Sequence, residues 1–164
     1  QCFKMAAELA LGKPEETYQS EAMARGLEIE GDARRSFEFI TGIEIAEVGI
    51  VERLDKPGIS CSPDGLSVGA RLGLETKCPT AGIQAEYIWL DKIPTIYKPQ
   101  VFSSLWICDD IDRWAFFSYH PSMKPVIKYV DRDDEEYQVY AEGLEKYLPD
   151  MLAFIQEVNK KLMN

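Results

Sequence analysis

The string Gly73-Leu74-Glu75-Thr76-Lys77-Cys78 constrains the fold more than any other part of the chain. Two opposite charges stand two residues apart in a stretch whose other members are uncharged. In a strand, residues two apart share a face, so the carboxylate and the ammonium are presented side by side. Charges in an otherwise buried strand need a partner or a metal. Upstream, Ser62-Pro63-Asp64-Gly65-Leu66-Ser67-Val68 is a second short extended stretch, and a glycine-containing turn joins the two, so residues 62–79 read as a β-hairpin. The hairpin folds Asp64, eleven residues before Glu75, back beside Glu75 and Lys77. Two hard oxygen ligands meeting at one point suit Mg²⁺, which favours carboxylates and keeps several waters. Lys77 could then orient or activate an attacking water, or stabilise charge developing on a phosphate. Taken alone, E-x-K equally describes an exposed ion pair, with Asp64-Gly65 as a turn dipeptide. The uncharged flanks favour the buried site.

Around the hairpin, 164 residues, 46% of them apolar, are enough for one domain with a real core. Cys2 to Leu11 reads as a short amphipathic helix closed by Gly12 and Pro14. Residues 20–41 form a second helix, with apolar Ala22, Ile29, Ala33, Phe37 and Ile40 and then Gly42. From Ile43 to Arg53 the period falls to about two, predicting a strand. The segment Thr80 to Pro94 reads as a loop. Tyr97 to Cys108 is helical, with Pro99 in its first turn. Arg113 to Tyr119 and Pro125 to Val130 read as strands, and a long helix closes the chain. This order predicts an α/β class of α+β type, with a central mixed β-sheet flanked by helices, in a single domain spanning 1–164.

With 18 Lys+Arg against 28 Asp+Glu, the net charge is −10, which read naively argues against a polyanionic partner. The charge is uneven: residues 131–164 hold nine acids against four bases, half of the excess. Segment 131–136 reads as a solvated loop and helix start. No run of 18 uncharged apolar residues and no secretory start is visible, so membrane spanning and secretion are not expected. Cys2, Cys61, Cys78 and Cys108 lie far apart without a C-x-x-C pair, which supports inert thiols in a reducing cytoplasm. Gln1 is no initiator Met and the first residues read as mid-helix, so upstream sequence is expected.

Several co-ordered strings carry a resemblance. They are Cys61-Ser62-Pro63-Asp64-Gly65-Leu66, Gly73 to Pro79, Tyr97-Lys98-Pro99-Gln100-Val101, Ser104-Leu105-Trp106 and Ser118-Tyr119-His120-Pro121-Ser122-Met123-Lys124. Upstream stand Gly26-Leu27-Glu28-Ile29-Glu30-Gly31-Asp32-Ala33-Arg34 and Phe37-Glu38-Phe39. Together they resemble the lambda-type exonucleases and the wider YqaJ-type viral recombinase family of PD-(D/E)XK nucleases, over nearly the whole chain. The resemblance implies a restriction-endonuclease-like core. Asp64, Glu75 and the Thr76 backbone carbonyl would hold Mg²⁺, with Mn²⁺ as a substitute, and Lys77 would be the catalytic lysine. Glu30 would hold a second metal or its waters. Tyr97 and Gln100 match a Y-x-x-Q motif beside the scissile phosphate, and Ser62 matches a hydroxyl that holds a terminal 5′-phosphate. Met23 aligns with an apolar wedge that splays the duplex end, and Arg25 and Arg34 fall among substrate-binding bases. His120 receives no catalytic role.

The resemblance further implies a Mg²⁺-dependent 5′-to-3′ exonuclease on double-stranded DNA, releasing mononucleotides and leaving 3′ overhangs for phage-type recombination. Implied with it are a homotrimeric ring, a single-strand annealing protein as partner, a bacterial cytoplasm and no membrane. A family N-terminal helical region, bearing an Arg and a hydroxyl of the 5′-phosphate pocket, has no counterpart and is expected upstream. An endonuclease with the same core, and a catalytically idle DNA-binding module, are the alternatives. An iron–sulfur nuclease is disfavoured because its cysteine cluster is missing.

Overall fold

The computed structural model describes residues 2–14 and 21–163, with backbone alone for 21–28. Two compact units divide the chain, residues 1–19 with 139–164 and residues 20–138. The first contains α1 (Cys2–Leu11) and most of α5 (Glu135–Met163). Gly12, at φ 64°, ends α1 in the left-handed conformation that glycine adopts without a Cβ clash. Within this unit Phe3 meets Phe154 edge to face at 5.4 Å.

The second unit is built on a four-stranded mixed sheet in the order β3 (Gly65–Ser67), β4 (Leu72–Lys77), β5 (Arg113–Ser118), β6 (Val126–Asp131). β3 and β6 pair antiparallel with their neighbours, and β4 and β5 run parallel. Parallel neighbours need a crossover, supplied here by α3 (Ala81–Leu90) and α4 (Lys98–Ile107). Strand alternation sorts the side chains. Leu72, Leu74, Ala115 and Phe117 pack on one face with Ile45 and with Ala33 and Phe37 of α2 (Glu21–Thr41). Gly73, Glu75 and Lys77 share the opposite face with their register partners Trp114, Phe116 and Ser118.

Gly73 is required there. A Cβ at this position would overlap the Trp114 ring at Cε3 and Cζ3 and lie 2.6 Å from Cδ2, and Trp114 is fully buried. The end of α4 is held by two guanidinium groups: Arg53 donates to the Trp106 carbonyl, and Arg132 to the Leu105 and Cys108 carbonyls at 2.9 and 2.8 Å. These satisfy carbonyls that a helix terminus otherwise leaves without partners.

Two expectations change. The strand predicted over Ile43–Arg53 reduces to a single bridge, Ala46 to Leu66, and the two-residue β1 (Val51–Glu52), which pairs with β2 (Ser60–Cys61). Ile45 alone of this run is buried, and its N–H donates to the Glu38 carboxylate at 2.8 Å instead of to a neighbouring strand. The segment read as a loop, Thr80 to Pro94, contains α3, whose buried positions are Gln84 and Tyr87. Of its large aliphatic and indole side chains, Ile83, Trp89 and Leu90 are exposed and Ile88 is half-buried, so apolar spacing pointed away from the face that packs. Among the described residues no helix is long and apolar enough to cross a membrane.

Candidate active site

Asp64 directly precedes β3, after buried Pro63. Its N–H donates to the Leu74 carbonyl at 3.2 Å, and its Oδ2 accepts from the Thr76 N–H at 2.6 Å. The side chain thus takes a bond from the β4 backbone, which fixes the carboxylate beside Glu75. Glu75 is 1% exposed. Lys77 Nζ donates to its Oε1, while Oε2 is buried with no hydrogen-bond partner. A buried carboxylate oxygen without a partner costs free energy unless another group satisfies it.

The electrostatics follow. Burial, then the charge of Asp64, pushes the Glu75 carboxyl up from 4.5 to about 7, against the pull of Lys77. Burial also raises the Asp64 carboxyl, opposed by the Thr76 N–H, Lys77 and Arg34. Both carboxyls therefore hold protons more tightly in the folded than in the unfolded chain. For Glu75 this stability is complete below about 4.5 and is lost as pH rises through about 7, and Asp64 adds to it in the same direction. In metal-free buffer the melting temperature is expected to fall by several degrees between pH 5 and pH 8; a flat profile would contradict the buried charges.

Lys77 has a second neighbour. Its Nζ lies 5.1 Å from the centroid of the Tyr97 ring, within cation–π range. Tyr97, at the N-cap of α4, stacks on Phe116 at 5.6 Å. Tyr87 of α3 meets the Tyr97 ring edge on at 6.4 Å and is hydrogen-bonded to it through its side chain. Tyr87 and Phe116 thus seat the ring under the lysine. Sequence reasoning missed Tyr87 because its segment was read as a loop, although the i, i+3 pair Gln84 and Tyr87 was the available signal. Fully buried Gln84 anchors the same helix: the Ser118 hydroxyl donates to its Oε1 at 2.6 Å, and its Nε2 donates to the Lys124 carbonyl at 2.8 Å.

Glu30 of α2 is partly buried. Burial raises its carboxyl first and the Asp64 charge next, with Arg34 and Lys77 opposing. It therefore shares the field of the Asp64, Glu75 and Lys77 cluster. Among the described residues, however, no three His, Cys, Asp or Glu side chains gather into a metal cage. Arg34 donates from Nη2 to Glu47 at 2.9 Å, and its buried Nη1 has no hydrogen-bond partner. Ser62 is exposed at the approach to Asp64, and Gln100 is exposed in the first turn of α4. The side chains of Met23 and Arg25 lie outside the described residues. His120 Nδ1 accepts the Ser122 N–H at 3.2 Å within the turn after β5.

Comparison with known proteins places the fold and the family. Among solved structures, LHK-Exo, an alkaline exonuclease from Laribacter hongkongensis, is similar at 25% identity with TM-score 0.81, covering 98% of this chain and 82% of that one. Its complex with dAMP gives 26% identity and TM-score 0.81, over 98% and 83% of the two chains. A phage-related exonuclease from Haemophilus somnus shares the fold at 14% identity and TM-score 0.66, over 99% and 80%. The expected PD-(D/E)XK core is thus the observed fold. No curated protein matches. The model of the YqaJ-like viral recombinase domain matches residues 2–110, and the chain belongs to that family.

Proposed function

We propose that the chain is a Mg²⁺-dependent exonuclease that degrades one strand of double-stranded DNA from its 5′ end. The carrying observation is Glu75 Oε2, a buried carboxylate oxygen without a partner, on a side chain held between Asp64 and Lys77. Two hard-oxygen side chains with one unsatisfied oxygen fit Mg²⁺, or Mn²⁺ in its place, with water completing the shell. When bound there, the ion would polarise the scissile phosphate and offset the charge on the leaving oxygen. Thr76 would add its carbonyl, and Glu30 would reach the ion through water.

The protein's own groups do the rest. Lys77, held by Glu75 and the Tyr97 ring, positions the attacking water as an ammonium or, in its neutral form, deprotonates it. Tyr97 and Gln100 flank the scissile phosphate. Ser62 receives the terminal 5′-phosphate, Arg34 and Arg25 are substrate-binding bases, and Met23 parts the duplex end. Products are mononucleotides and a 3′ overhang; LHK-Exo crystallised with dAMP, a molecule of that product class, supports this reading. Family membership supports the wider proposal of a homotrimeric ring in a bacterial cytoplasm, working with a single-strand annealing protein.

The test is digestion of 5′-phosphorylated linear duplex with and without Mg²⁺, beside closed circular DNA. Mononucleotides and residual single strands from the linear substrate alone are expected. Cut circles would make it an endonuclease, and intact linear duplex an idle module. Light scattering that shows a monomer at micromolar concentration would refute the ring. A ring that encircles the duplex needs only weak phosphate attraction, so with a net charge of −10 a shallow salt dependence of binding is expected. A steep slope, equivalent to many phosphate contacts, would contradict this.

A further inference from the structure

Cys61 and Cys108 are 47 residues apart in sequence, yet their sulfurs lie 3.7 Å apart. Cys61 ends β2 and Cys108 caps α4, so two separate elements present the pair. A disulfide has an S–S length of about 2 Å, so less than 2 Å of closure separates the two thiols from a bond. The surroundings differ. Cys61 is partly exposed, and its sulfur also receives a hydrogen bond from the Ser104 side chain. Cys108 is 5% exposed. The shared sulfur–sulfur hydrogen bond and Ser104 lower the Cys61 thiol, whereas the same shared bond, then burial, raises Cys108, and Cys61 is also the more accessible of the two.

We propose that Cys61 and Cys108 are a reversible dithiol–disulfide site, with Cys61 as the attacking thiol and Cys108 as the resolving one. The oxidant class is a small disulfide. The Cys61 thiolate attacks one sulfur of the oxidant, forming a mixed disulfide and releasing one thiolate. Cys108 loses its proton and attacks the Cys61 sulfur, releasing the second thiolate. Two protein thiols become one disulfide, and the oxidant becomes two thiols. The closed loop, residues 61–108, contains Asp64, Glu75, Lys77, Tyr97 and Gln100, so oxidation ties down the segment that carries most of the proposed site. A bond closing a loop of this length should raise the melting temperature by roughly 10 °C.

The experiment incubates the full chain with oxidised glutathione, alkylates the remaining thiols, and maps peptides without reduction. Expected are a Cys61–Cys108 crosslink with loss of two hydrogens, Cys2 and Cys78 alkylated, and a higher melting temperature that dithiothreitol reverses. Cys108→Ser should instead retain glutathione on Cys61, and Cys61→Ser should take up none at Cys108. Four alkylated cysteines after oxidation, a lasting glutathione adduct on Cys61 of the unaltered chain, or a bond to Cys2 or Cys78 would overturn the proposal. The map of the unaltered chain decides even if a variant fails to fold.

Discussion

Glu75→Gln should abolish Mg²⁺-dependent cleavage of linear duplex while leaving the metal-free fold at least as stable as the parent at pH 8. The amide keeps the shape of the side chain and removes the charge whose burial raises the Glu75 carboxyl to about 7. Lys77, 23% exposed at its side chain, can be solvated once its partner is neutral. The fold therefore loses a buried charge that Lys77 only partly offsets, while the proposed ion loses its central ligand. Lys77→Ala should lower the rate by about 10²- to 10⁴-fold, the usual range for a positioned proton-transfer group. It should also destabilise the chain above pH 7, because Glu75 is left buried without its cation. Opposite stability changes with shared loss of activity separate a catalytic pair from a structural one. If either variant digests DNA at the parental rate, the site is misassigned.

The second large effect concerns Gly73→Ala. The added methyl has no space, since the Trp114 ring occupies its position and is itself fully buried. Overpacking of this kind usually costs 1–3 kcal/mol, and a rigid indole places this case near the upper end, about 3 kcal/mol, or roughly 6–12 °C in melting temperature. Gly69→Ala is the matched control, because a Cβ there meets nothing within 4 Å. Trp114→Leu combined with Gly73→Ala should recover part of the loss, since the two sites share one clash. A Gly73→Ala chain that melts with the parent would show that β4 and β5 can move apart without penalty.

Much of the candidate catalytic strand was legible because its signal is local. Glu75 and Lys77 share a face by strand alternation alone, and the turn between β3 and β4 returns Asp64 to them within a few residues. The sheet core was legible for the same reason: the apolar residues of β4 and β5 are runs with nowhere else to go. Long-range partners carry weaker sequence signals. Tyr87 reaches the site through a helix whose exposed face is the more apolar one, so periodicity concealed it. The run after Gly42 alternates like a strand, but the Glu38 side chain captures the Ile45 amide, a competition that no pattern of apolar residues reveals. Cys61 and Cys108 meet only because β2 lies beside the end of α4, a juxtaposition created by tertiary packing.

The parallel pairing of β4 with β5 also sets an order of assembly. Asp64, Glu75 and Lys77 can come together as soon as one short hairpin closes, which takes microseconds in small peptides. The aromatic seat of the lysine needs Phe116, and Phe116 reaches Glu75 only after α3 and α4 have been wound across the sheet. Pairing across such a separation carries a larger loop-closure entropy and forms more slowly. A newly made chain would therefore hold its acidic residues together before its lysine is seated, so competence for chemistry would arrive with the crossover, the last part of the centre to form.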